Sequence, residues 1–157
     1  NAVGAMDFGG SALNKFYNAN NSQGSRRITS DIYALATAVL FQSPVQHFAL
    51  APNNLSDAPA YAVDFMKTVP TKWDEVRYID GYPGKFVILA RRSGNKWYIA
   101  GVNAMDQPIK HTLSLPMLKD KSVCLYINGE MKTVELGRNH TLKIEIPTNG
   151  GVVVVGS

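Results

Sequence analysis

Eight short apolar segments decide the fold of this chain: Glu75-Val-Arg-Tyr-Ile79, Lys85-Phe-Val-Ile-Leu-Ala90, Lys96-Trp-Tyr-Ile-Ala100, Ile109-Lys-His-Thr-Leu113, Val123-Cys-Leu-Tyr-Ile127, Met131-Lys-Thr-Val-Glu-Leu136, Leu142-Lys-Ile-Glu-Ile146 and Val152-Val-Val-Val155. They are rich in β-branched and aromatic residues, which fit a pleated surface, and read as strands. Leu142, Ile144 and Ile146 alternate with Lys143 and Glu145, so that strand buries one face and wets the other. Val152-Val-Val-Val155 shows no such alternation and is expected at the centre of a sheet, covered on both faces. Gly81-Tyr-Pro-Gly84, Ser93-Gly-Asn95, Asn128-Gly129, Gly137-Arg-Asn139 and Asn149-Gly-Gly151 separate the segments. Asn128-Gly129 is the sharpest of these signals, because a two-residue type I′ hairpin needs positive φ at both positions. Short strands with close turns predict an antiparallel sandwich or barrel.

The residues before this stretch follow another pattern. Ala2-Val-Gly-Ala-Met6 reads as a buried strand with Asp7 at its tip, followed by a Gly-, Ser- and Asn-rich loop. A helix is predicted over residues 26–42, with Ile28, Ile32, Leu35, Val39 and Leu40 on one apolar stripe. Ser25 is its expected N-cap, and Ser43-Pro44 stops it. A second apolar segment covers 45–51. A second helix covers 58–68, capped by Ser56 or Asp57, with Tyr61, Phe65 and Met66 facing in. A strand, a crossover helix and a second strand form the parallel unit, but two such units cannot bury both faces of a sheet. Residues 1–70 are therefore expected to be the tail of a larger α/β domain. A boundary is expected near 70–73, with an antiparallel β-domain over 71–157. The chain opens on Asn1-Ala-Val-Gly-Ala-Met6 with no signal-peptide pattern, and is expected to be a fragment or a processed product.

Composition excludes several classes. The 157 residues are 45% hydrophobic and 18% charged, ordinary for a soluble globular protein. No apolar run approaches the roughly 20 residues of a membrane helix. The net charge is +4, but the basic residues are scattered rather than clustered beside stacking aromatics, so neither nucleic acid nor membrane is an expected partner. The single cysteine, Cys124, reads as a small buried hydrophobe. His47, His111 and His140 show no metal-ligand spacing. The sequence contains no phosphate-binding loop, dinucleotide fingerprint, nucleophile elbow or zinc-protease motif.

Most carboxylates fall in turns or on wet strand faces. Asp7 differs, because it ends an apolar strand and precedes a long loop, and active sites of (β/α) barrels gather at C-terminal strand ends. Gln46 and His47, in the second segment, are placed to reach the same face. Asp7 and Gln46 are the candidate substrate-binding residues. Among the aromatics, Tyr78 and Tyr82 are expected to be exposed, whereas most of the others fall on core positions.

One ordered set of segments resembles the C-terminal end of glycoside hydrolase family 97, the retaining and inverting α-glucosidases and α-galactosidases of Gram-negative gut-type bacteria. The set comprises Gly4-Ala-Met-Asp-Phe8, Ala34-Leu-Ala-Thr-Ala-Val-Leu-Phe41, Ser43-Pro-Val-Gln46, Phe65-Met-Lys-Thr-Val-Pro70, Trp73-Asp-Glu75, Phe86-Val-Ile-Leu-Ala-Arg-Arg92 and Trp97-Tyr-Ile-Ala-Gly101. The resemblance implies an α+β chain in which residues 1–70 are the last two βα units of a (β/α)₈ barrel and 71–157 an antiparallel β-sandwich. It implies a parent enzyme that cleaves α-linked glucosides or galactosides and is periplasmic or secreted. The catalytic carboxylates, and any calcium ligands, would lie upstream, so no catalytic residue, metal or cofactor is assigned to this chain. The expected partners are the missing part of the barrel and an oligosaccharide substrate. Self-association is also expected, through apolar faces left open at 2–6 and 45–51. The alternative is a non-catalytic carbohydrate-binding or structural sandwich, with exposed tyrosines as sugar platforms.

Overall fold

The computed structural model describes residues 7–10, 27–41, 43–49 and 58–157. In chain order the elements are β1 (Phe8–Gly10), α1 (Asp31–Leu40), β2 (Gln46–Phe48), α2 (Ala60–Thr68), β3 (Glu75–Tyr82), β4 (Phe86–Ser93), β5 (Lys96–Asn103), β6 (Ile109–Ser114), β7 (Ser122–Ile127), β8 (Glu130–Glu135), β9 (Thr141–Ile146) and β10 (Gly151–Gly156). All eight strands expected after residue 70 are present. They form a six-stranded antiparallel sheet, ordered β3-β4-β5-β10-β7-β8, and a two-stranded antiparallel sheet, β6-β9. Asn128 and Gly129 have φ of 53° and 78° and close the β7–β8 hairpin as the sequence predicts.

Two apolar cores lie on opposite faces of the large sheet. On one face, Ile88, Ile99, Val152, Val154, Val123 and Leu125 pack against Leu142, Ile144 and Ile146 of β9 and Leu113 of β6. This is the sandwich. On the other face, Tyr98, Ala100, Val102 and Val153 pack against Ile32, Leu35, Ala36 and Val39 of α1 and against Ala62 and Phe65 of α2. Strand β10 sits between β5 and β7, so Val152 and Val154 fill one core while Val153 fills the other, all fully buried. The alternation missing from that strand is the signature of two covered faces. Helix α1 lies close on the sheet: a Cβ added at Gly151 would stand 2.7 Å from Tyr33 Cα.

The start of α1 differs from the sequence reading. The helix begins at Asp31, and Ser30 is its N-cap, the hydroxyl accepting from Tyr33 N–H at 3.1 Å. Ser25 lies outside the described residues. Ile28 precedes the cap and is 84% exposed, so it does not belong to the stripe. The first helical residue is Asp31, whose carboxylate favours the positive end of the helix dipole and pairs with Arg27. Helix α2 begins after Pro59 with no side-chain cap; Ser56 and Asp57 lie outside the described residues. Phe65 is buried as expected, with Tyr61 and Met66 partly so. Cys124 is half-buried rather than enclosed, because it faces the helix side of β7, which α2 covers only in part.

Strands β1 and β2 pair in parallel, Phe8 with Gln46 and Gly10 with Phe48. The buried Ser43 secures this unit: its hydroxyl accepts from Phe8 N–H at 3.1 Å and from Val45 N–H at 3.2 Å, and donates to the Val45 carbonyl. The described part of the second apolar segment is strand only over three residues, and the strand expected at 2–6 lies outside the described residues.

Candidate functional site

The residues singled out at the N-terminal unit do not converge. Asp7 is exposed and stands immediately before β1, on the N-terminal side of that strand. Gln46 is half-buried, and its amide Nε2 donates to the Ala38 carbonyl at 2.9 Å, holding β2 to α1. His47, its neighbour, is exposed. Gln46 therefore has a structural task in this arrangement, while Asp7 faces solvent without a partner among the described residues.

Several carboxylates elsewhere are committed to holding strands and turns. Glu75 accepts from Arg77 at 2.7 Å and from Arg92 at 3.3 Å, and these guanidinium groups, Arg77 first, hold its carboxyl below the ordinary 4.5. Asp74 accepts from Gly94 N–H at 2.7 Å and lies 3.5 Å from Arg92. Asp80 accepts from Gly81 N–H at 2.8 Å and lies 3.5 Å from His111 of β6. Asp120 accepts from Ser157 N–H at 2.7 Å. Among the described residues no three His, Cys, Asp or Glu side chains gather as they would around a metal ion. No described helix is long and apolar enough to cross a membrane.

Two buried polar groups went unnoticed in the sequence. Asn103, at the end of β5, is fully buried; its amide nitrogen donates to the carbonyls of Gln107, Ile146 and Pro147, and its oxygen accepts from Met105 N–H at 2.9 Å. It ties the large sheet to the end of β9. Arg91 of β4 is 5% exposed, and donates to the Leu40 carbonyl at the last turn of α1 at 3.0 Å, with its guanidinium 5.8 Å from the Trp73 ring. Burial pushes its pKa down. An arginine in a strand otherwise carries no signal that it will cap a helix C-terminus.

The expected exposed tyrosines are indeed exposed: Tyr78 at 64% and Tyr82 at 65%, whereas Trp97 and Tyr98 are buried. Tyr78 and Tyr82 border a cavity of about 310 Å³ beside the β3–β4 hairpin, with Pro83, Phe86, Val87 and Val102. Its polar equipment is slight. The Tyr78 hydroxyl donates to the Gly81 carbonyl at 2.6 Å, and the Lys85 ammonium lies over the Tyr82 ring at 5.2 Å.

The described residues thus form a β-sandwich with two helices laid on the outer face of its large sheet. Residues 72–155 match the family model described as "Glycosyl-hydrolase 97 C-terminal, oligomerisation". The chain belongs to glycoside hydrolase family 97 and corresponds to its C-terminal portion. It is 30% identical, over 99% of its length, to a protein of Streptomyces bingchenggensis strain BCW-1 described as a probable retaining alpha-galactosidase. It is 35% identical, over 55% of its length, to the retaining alpha-galactosidase of Bacteroides thetaiotaomicron. A crystal structure of a beta-arabinopyranosidase superposes with a TM-score of 0.92 at 51% identity, covering 99% of this chain and 26% of that one. A family 97 enzyme from Pseudoalteromonas sp. strain K8, in complex with acarbose, superposes with a TM-score of 0.77 at 25% identity, covering 98% of this chain and 26% of that one. The chain spans about a quarter of the length of the Streptomyces protein and of the beta-arabinopyranosidase.

Proposed function

We propose that this chain is the C-terminal quarter of a glycoside hydrolase that cleaves pyranosides of the galacto configuration, α-galactosides or β-arabinopyranosides, with its catalytic carboxylates upstream. The observation that carries this reading is the 51% identity, over 99% of the chain, to a beta-arabinopyranosidase. The alpha-galactosidase relatives agree with it in chemistry. A β-L-arabinopyranoside has the ring stereochemistry of an α-D-galactopyranoside and lacks only its hydroxymethyl group, so one pocket can accept both. An α-glucoside differs at the 4-hydroxyl, which a site built to bond that group rejects.

Glycoside hydrolysis needs two carboxylates flanking the scissile bond. Glu75, Asp74, Asp80 and Asp120 are engaged in ion pairs and turns, which supports an acid and base outside this chain. The parallel β1–β2 pair supports the reading of residues 1–70 as the end of a (β/α)₈ barrel, since parallel strands are normally flanked and covered. Phe41, 53% exposed, and Val45, 44% exposed, are apolar surface that further barrel elements would cover. On this reading a calcium ion in the parent takes its ligands from elsewhere, and Asp7, which precedes β1 instead of following it, loses the strand-end argument for a place on the substrate side.

The test is the specificity of the full-length enzyme. Its kcat/KM for p-nitrophenyl β-L-arabinopyranoside or α-D-galactopyranoside is expected to exceed that for the α-D-glucopyranoside on the order of a hundredfold or more. A preference for the glucoside would overturn the galacto assignment.

A further inference from the structure

We infer that the helix-side surface of β3 and β4 is the seat of an α-helix from the βα unit immediately upstream of this chain. The inference rests on the reading above that the chain is the C-terminal quarter of a larger enzyme. The cross-strand register defines the surface: Val76 aligns with Arg91 and Tyr98, Tyr78 with Leu89 and Ala100, and Gly81 with Val87 and Val102. Tyr98, Ala100 and Val102 form the core under the helices. Val76 and Tyr78 therefore lie on the same face, yet they are 49% and 64% exposed. The sheet carries its apolar helix-side face out to its edge, but the described helices cover only part of it.

The spacing of the helices says what belongs there. Helix α2 lies over β7, where Phe65 meets Tyr126 with ring centroids 5.2 Å apart. Helix α1 lies over β10 and β5, pressed on Gly151. Packed helices lie about 8–10 Å apart, and strands about 4.8 Å, so each helix takes up about two strands. The next position in the same direction is over β4 and β3. Successive right-handed βα units set their helices side by side in chain order, so the helix preceding α1 falls on the side away from α2, above Val76, Tyr78, Val87 and Leu89. The cavity beside Tyr82 and Phe86 lies at one end of this strip. Its single charged lining side chain lies over Tyr82, and the Tyr78 hydroxyl is committed to Gly81. That lining suits apolar side chains better than the hydroxyl groups of a sugar.

The experiment compares thiols introduced by Tyr78→Cys and by Met131→Cys in the full-length enzyme. Met131 lies on the opposite edge strand and is 44% exposed. Reaction with a maleimide is followed across a dilution series whose molar mass is set by light scattering. The expected result is a thiol at position 78 that reacts on the order of tenfold or more slowly than that at 131, at every concentration and without sugar. Equal reactivity would mean a bare surface and overturn the inference. Protection that vanishes on dilution to single protomers would give the surface to a second copy. Protection that appears only with added galactose would give it to a sugar. Glycoside hydrolysis is assayed on the same samples. An active enzyme with a reactive thiol at 78 sinks this inference alone; a shielded thiol in a protein without glycosidase activity sinks the functional reading alone.

Discussion

Asn103 shows how much one residue can carry. Its side chain serves three carbonyl acceptors and one N–H donor in a fully buried position. Asn103→Ala strands these groups away from water, and burial without a partner costs more than a made hydrogen bond contributes. We expect a loss of roughly 3 kcal/mol, read as a lower urea midpoint at unchanged m-value; a loss below about 1 kcal/mol would mean that water replaces the amide. Glu75 gives a prediction in pH. Its folded-state pKa is depressed by Arg77 and Arg92, so its stabilisation is present above the unfolded pKa and lost as pH falls through the folded one. The stability difference between the native chain and Glu75→Gln should be constant near neutrality and shrink below the ordinary value of 4.5. A difference that grows on acidification would contradict the ion-pair account. Neither residue announced itself in the sequence. Glu75 looked like any wet-face carboxylate, and nothing singled out Asn103, because Arg92 of β4 and the end of β9 reach them only once the sheets have formed.

At the scale of elements, the strands were the most legible part. Turn residues such as Asn128-Gly129 and the alternation of Leu142, Ile144 and Ile146 are local signals, and the observed strands follow them. The start of α1 was not legible, because Ile28 fits the helical period but precedes the Ser30 cap. Periodicity alone does not separate an apolar residue on a helix from one just before it. The role of Gln46 was equally hidden, since its partner is a carbonyl of α1. The contact between α1 and the sheet yields a test that separates two kinds of glycine. An added Cβ at Gly151 would meet Tyr33 Cα at 2.7 Å and Ile32 O at 2.8 Å, all backbone, whereas at Gly94, with φ of 59°, it would meet nothing within 4 Å. Gly151→Ala should cost about 2 kcal/mol by forcing α1 off the sheet. Gly94→Ala should cost about 1 kcal/mol from its left-handed backbone alone. Urea unfolding of both variants measures the difference, and an equal or smaller loss at 151 would contradict the close seating of α1.

For the whole molecule, the sandwich stands on its sequence pattern, whereas the N-terminal unit is, on the reading proposed above, one part of a larger barrel. A three-residue parallel pair, exposed Phe41 and Val45, and an apolar strip on β3–β4 all mark surface that the described residues leave open. The central claim is that the chemistry lies outside this chain. The most direct measurement is hydrolysis of p-nitrophenyl α-D-galactopyranoside and β-L-arabinopyranoside by this chain alone, beside the full-length enzyme, with circular dichroism verifying the β-structure of both. Turnover is expected from the full-length enzyme and none from the chain at any pH. Turnover by the chain alone, abolished by Asp7→Asn, would contradict that claim.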